Sequence, residues 1–97
     1  MYETGEGVTE NSFEAIRWYV EAAESGLLFA QAALGSIYAD GVGVPKDNTL
    51  AYLWWSLAAA QDHKIAAKNL GILTNQMTAE EIAKGDLLVE KHFRKSE

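Results

Sequence analysis

The side chains able to do chemistry are few and scattered. His63 and His92 lie far apart, and neither has a second ligand one helical turn away, so they make no metal site. His92 reads instead as a packing residue on the inner side of the last helix. Glu80 and Glu81 are adjacent at a helix start, hence on different faces, which suits capping and not paired acid–base work. The serines (Ser12, Ser25, Ser36, Ser56 and Ser96) have no histidine–acid set beside them. Two glycine loops, Gly5-Glu6-Gly7-Val8 and Gly41-Val42-Gly43-Val44, resemble phosphate cradles. Neither follows a strand, and neither carries the Gly-Lys-Ser/Thr that holds phosphate and metal, so both read as turns. The aromatic series Trp18-Tyr19, Tyr52 and Trp54-Trp55 could form a ligand cage. At helical spacing it reads as core, with Tyr19 and Trp55 the two that reach solvent. No catalytic group, metal or cofactor is expected, and the chain is not read as an enzyme.

Composition narrows the partners. The chain has 97 residues, 48% hydrophobic and 23% charged, which suits one small soluble domain. It has no cysteine, so disulfides and thiolate chemistry are excluded and a cytoplasmic setting is favoured over a periplasmic or secreted one. No run of about 18 apolar residues is present, and the N-terminus lacks the basic and apolar regions of a signal peptide. The net charge of −6 sits wholly in residues 1–40, where seven acids face Arg17 alone; residues 41–97 balance seven acids with seven bases. Such a field repels phosphate backbones and anionic lipid, so neither nucleic acid nor membrane is expected as a partner. The acidic half reads as a solvated helix face, with a docking surface for a basic partner as the alternative.

The elements are helical throughout, since no stretch alternates as a strand would. Asn11, with Glu14 three residues on, opens an amphipathic helix of about 14 residues that Gly26 closes. An alanine-rich helix follows over about Leu28 to Ala39. Asp47 caps a third, about Asn48 to Gln61, and Asp62 stands where the first copy has Gly26. A fourth covers about Ile65 to Thr74. Thr78 and Glu81 form a capping box, with Met77 and Ile82 as its staple, for a last helix to about Phe93. That helix presents Ile82, Gly85, Leu88, Val89 and His92 on one side, with Gly85 implying a close neighbour.

These elements repeat. Aligning the chain with itself 36 residues on gives eleven identities in 36 pairs, among them Tyr2 with Tyr38, Ala15 with Ala51, Trp18 with Trp54, Ala30 with Ala66 and Leu34-Gly35 with Leu70-Gly71. A fixed period of this length marks a stacked repeat architecture, in which one unit cannot bury its apolar face alone. Trp18, Trp54 and Tyr38 are expected to fill the gaps between repeats.

The run Ala30…Leu34-Gly35…Tyr38…Gly41…Gly43-Val44…Asp47…Ala51…Trp54…Ala58-Ala59 resembles the Sel-1-like repeat family, cousins of the tetratricopeptide repeats. The closing Met77-Thr78…Glu80…Ile82-Ala83 is similar to the terminal helix of bacterial members. The resemblance implies an all-α fold, an α/α solenoid in a right-handed superhelix of about five antiparallel-paired helices, used as a protein-binding scaffold. The repeat is entered midway at residues 2–37, is complete at 38–73, and ends in a capping helix at 74–97. A repeat cut before Tyr2 would leave Phe13, Trp18 and Tyr19 uncovered, which points to a longer array or to self-association through that face.

On this reading the core side of the second helix is Ala30, Leu34 and Ile37. Its opposite side, Phe29, Ala32, Ala33, Ser36 and Asp40, lines a concave groove, continued one repeat on by Ile65, Lys68, Asn69, Ile72 and Gln76. Small and mixed, this strip suits another protein's extended peptide or helix. Two alternatives stand beside it: a regulatory or assembly appendage acting in cis on a larger protein, or a hydrolase whose residues the sequence does not display.

Overall fold

Helix formation follows the apolar spacing, and the joints follow from a few backbone positions. The computed structural model describes residues 10–95, which form α1 (Glu10–Glu24), α2 (Leu28–Asp40), α3 (Asn48–Ala60), α4 (Lys64–Thr74) and α5 (Ala79–Lys95). No strand occurs among the described residues. The N-terminal copy of the glycine loop and Tyr2 lie outside them. Helix α1 is already under way at Glu10, so Asn11 falls inside its first turn and not ahead of it. Its capping contact lies outside the described residues.

The α1–α2 and α3–α4 joints are the same device built from different residues. Gly26 takes φ +99°, its N–H donates to Ala23 O at 3.0 Å, and Leu27 N–H donates to Ala22 O at 3.0 Å. Asp62 takes φ +68°, donating to Ala59 O at 2.9 Å, while His63 N–H donates to Ala58 O at 3.2 Å. In each, a left-handed residue lets two consecutive N–H groups return to orphan carbonyls of the last turn. Asp62 thus does what glycine does one repeat earlier, as its place in the sequence implied.

The α2–α3 loop is closed from both ends. Gly41, at φ +73°, and Val42 both donate to Ile37 O, at 2.8 and 3.1 Å. Asp47 N–H reaches back to Tyr38 O at 2.9 Å, and the Asp47 carboxylate accepts from Leu50 N–H at 3.1 Å as the cap of α3. The Thr78–Glu81 capping box forms reciprocally, at 3.0 Å in each direction.

Packing runs in sequence, α1 on α2, α2 on α3 and α3 on α4, while α5 lies along α3 and scarcely meets α4. Two apolar clusters result. One holds Ala23, Ala30, Leu34, Leu53, Trp54 and Leu57; the other holds Ala51, Trp55, Ala58, Ala66, Leu73 and Met77. The adjacent tryptophans of α3 point about a quarter turn apart and enter one cluster each. Trp55, expected to reach solvent, is buried, and its indole N–H donates to Ala32 O at 3.2 Å. The second ring of the pair turns inward because α2 and α4 both flank α3. Trp18, expected to fill a gap as Trp54 does, is 54% exposed, because no helix lies against that side of α1. Phe13 beside it is exposed as well, in keeping with the expected uncovered face, while Tyr19 is half-buried.

Close helix approach rests on glycines at two contacts. A Cβ on Gly35 would lie 2.1 Å from Trp55 Cδ1, and one on Gly85 would lie 2.4 Å from Tyr52 Cδ1. Gly71, the repeat partner of Gly35, has nothing within 4 Å. Gly35→Ala should therefore destabilise by about 1–3 kcal/mol or more through overpacking. Gly71→Ala, free of any neighbour, should stabilise by about 1 kcal/mol through helix propensity. Urea denaturation of the two variants checks the opposite signs.

Candidate interaction surface

The strip expected from the sequence is positioned by the turns just described, since α2 and α4 are held side by side on α3. Phe29, Ser36 and Asp40 are exposed along α2, Ile65, Lys68 and Ile72 along α4, and Gln76 just beyond its end; Ala32, Ala33 and Asn69 are half-buried. The strip is not one continuous groove. Asp40, Asn69, Ile72 and Gln76 come together around a cleft of about 240 Å³ at the C-terminal ends of α2 and α4. Ala32 turns towards α3 beneath the Trp55 indole. Phe29 stands at the other end of α2, its ring centroid 6.2 Å from that of Tyr19 on α1. Tyr19 in turn packs edge-on to Trp18 at 5.3 Å.

The cleft also takes residues the sequence reading did not assign. Lys46 and Asn48, from the loop and the first turn of α3, and Trp55 and Leu73 complete its wall. Asn48 Oδ1 is buried there without a hydrogen-bond partner. A buried acceptor left open is costly. Its sequence signal was its position directly after the Asp47 cap, which places it where the glycine loop folds back on α2. An aspartate (Asp40) and a lysine (Lys46) in one cleft with three carboxamide residues (Asn48, Asn69 and Gln76) give it a mixed, polar lining.

The remaining polar residues serve the frame. Gln31, buried, donates to Ala23 O at 3.1 Å and accepts from Gln61 Nε2 at 2.8 Å; Gln61 also donates to Gly26 O at 3.4 Å. This bridge ties α1, α2 and α3 together, and only the tertiary structure reveals it. His63 caps α4, its Nδ1 accepting from Ala66 N–H at 2.9 Å. His92 packs edge-on to Trp54 at 6.0 Å, the inward packing role expected of it. Among the described residues, no three His, Cys, Asp or Glu side chains are gathered as a metal would need. The glycine loop of residues 41–45 lines a largely apolar hollow together with Phe13.

Two tyrosines hold their protons more tightly than usual. Burial, then the Asp47 charge, raises Tyr38. Tyr52 is pushed up to about 12, first by donating its hydrogen bond to Asp86, then by burial and the Asp86 charge. This bond fastens α5 to α3 beside Gly85.

A helix-pair solenoid with an open outer strip is the class that fold and surface define. Residues 1–27 and 28–63 match the Sel1 repeat, the second match spanning α2, α3 and their joints. The chain belongs to the Sel1 repeat family. It is 41% identical over 71 residues to chitin synthase regulatory factor 3 of Schizosaccharomyces pombe, covering 71% of this chain and 8% of that one. It is 37% identical over 57 residues to the chitin synthase regulator SKT5 of Saccharomyces cerevisiae, covering 59% and 8%. The fold matches the crystal structure of c5321, a protective antigen present in uropathogenic Escherichia coli strains that displays an SLR fold. The TM-score is 0.81 at 34% identity, over 94% of this chain and 20% of that one. The chain thus spans less than a tenth of the curated relatives' length. No helix among the described residues is long and apolar enough to cross a membrane.

The Tyr52–Asp86 bond gives a pH test. Between about pH 10 and pH 12 the unfolded chain releases this proton while the folded chain keeps it, so stability should fall as pH rises through that window. Tyr52→Phe should lose stability at neutral pH and show a shallower decline above pH 10, as followed by thermal melts across pH.

Proposed function

We propose that this chain is a non-enzymatic protein-interaction module whose α2–α4 strip receives an extended segment or a helix of another protein. The observation that carries the reading is the cleft itself. It joins an exposed isoleucine, Ile72, to the carboxamide residues Asn48, Asn69 and Gln76 and to the charged side chains of Asp40 and Lys46. Its volume of about 240 Å³ lies below the roughly 300–1,000 Å³ typical of small-molecule sites, and suits one or two side chains of a longer ligand. Exposed Ile65 and Lys68 extend the contact along α4, and Phe29 adds an apolar anchor at the far end of α2.

A second reading has its own support. The curated relatives are named as regulators of chitin synthase, and the matching stretch is 8% of each. In that reading the repeats are a regulatory or assembly segment of a larger protein, and the same strip binds in cis. The two readings share the surface and differ in whether the ligand belongs to the same polypeptide.

Ile72→Glu and Lys68→Glu place opposite charge on exposed positions of α4 and should leave the melting temperature within about 3 °C, as exposed substitutions do. Each should weaken binding to a captured partner at least tenfold by titration calorimetry. Undiminished binding by both variants would remove the strip from the interface.

A further inference from the structure

The two outer helices of the stack, α1 and α4, each show a side that its repeat counterpart buries. Ala51, Trp54 and Ala58 of α3 are buried, and they take part in the packing of α3 on its neighbours. Their counterparts one repeat earlier, Ala15 and Trp18, are exposed on α1, and Ala22 is half-buried. In α2, Gln31 and Gly35 are buried under Gln61 and Trp55 of α3. Their counterparts on α4, Ala67 and Gly71, are exposed, and a Cβ on Gly71 would meet nothing. Helix α5 does not cover them, because it packs along α3. So, among the described residues, no helix covers this α3-type side of α1 or this α2-type side of α4.

We propose that the uncovered side of α4 binds the uncovered side of α1 from a second copy of this chain, so that copies join head to tail as α3 joins α2 within one copy. Two observations converge on a second copy as the occupant. The first is steric: small Ala67 and Gly71 leave room for a bulky ring, and exposed Trp18 with Tyr19 supplies bulky rings at the positions of Trp54 and Trp55. The second is charge: α4 carries Lys64 and Lys68 and no acid, whereas α1 carries Glu14, Glu21 and Glu24 against Arg17. Opposite fields steer these two helices together and hold two α1 or two α4 surfaces apart. The contact is heterologous: each copy keeps one free end of each kind, so the assembly grows until it closes as a ring or continues as a filament. Trp18 and Gly71, which define it, lie outside the α2–α4 strip, and Lys68 borders both surfaces.

Sedimentation equilibrium of the 97-residue chain should give an average mass that rises with concentration above the 10.6 kDa of one copy. Trp18→Glu blocks one side and Gly71→Glu the other, so each variant alone should stay at 10.6 kDa. Mixed in equal amounts they should form a dimer of twice that mass, because each supplies the side the other lacks. Ala15→Glu, an exposed change on the same side as Trp18, replaces Trp18→Glu should circular dichroism show lost helix. A wild-type chain that remains at one copy across the concentration range overturns the proposal. So does a Gly71→Glu chain that still associates, which would indicate a symmetric α1–α1 contact, or an equal mixture that fails to dimerise.

Discussion

The structure depends on how closely α2 and α3 approach. Trp55 lies against the backbone of α2 at Gly35, where a single methyl group would overlap its ring, and its N–H is satisfied by Ala32 O. A tryptophan buries roughly 150–250 Å², which at about 25 cal/mol per Å² is worth about 4–6 kcal/mol as an upper estimate. Trp54 and Trp55 together therefore supply a large share of the core of a chain this small. That share exists only because small residues stand opposite them, and because the indole's polar atom has a carbonyl to meet.

Orientation is then fixed by polar joints. The left-handed residues Gly26 and Asp62 turn the chain at equivalent points, and the Gln31–Gln61 bridge locks the outer ends of three helices. Each joint satisfies groups that burial would otherwise leave open. With the frame rigid, the strip on α2 and α4 needs no side chain of its own to hold it in place. Its residues are free to be mixed in character.

Position in the stack explains the contrasts between repeat partners. Trp54 is buried and Trp18 exposed; Gly35 is crowded and Gly71 open. The residues are the same, so the difference lies in which helix has a neighbour. Helix α5 sharpens the contrast by fastening to α3 through Gly85, Tyr52–Asp86 and His92–Trp54, which leaves the side of α4 bare. Four of the seven acids of the N-terminal half, Glu10, Glu14, Glu21 and Glu24, fall on α1.

The sequence by itself determined the five helices, their period of 36, the caps at Asp47 and Thr78, the turn at Asp62 and the close contact at Gly85. All of these follow from local rules: hydrogen bonds within a few residues, backbone angles, and apolar spacing along one helix. It also assigned ten strip residues to the outer side of α2 and α4, of which Ala32 turns towards α3 and Gln76 lies beyond the end of α4. Tertiary structure decided what depends on residues distant in sequence. Only there do Asp40, Asn69, Ile72 and Gln76 gather with Lys46, Asn48 and Trp55 while Phe29 stands apart with Tyr19. The burial of Trp55, the exposure of Trp18 and the buried Gln31–Gln61 bridge are likewise properties of neighbours, and periodicity carries a residue's direction but not what stands opposite it.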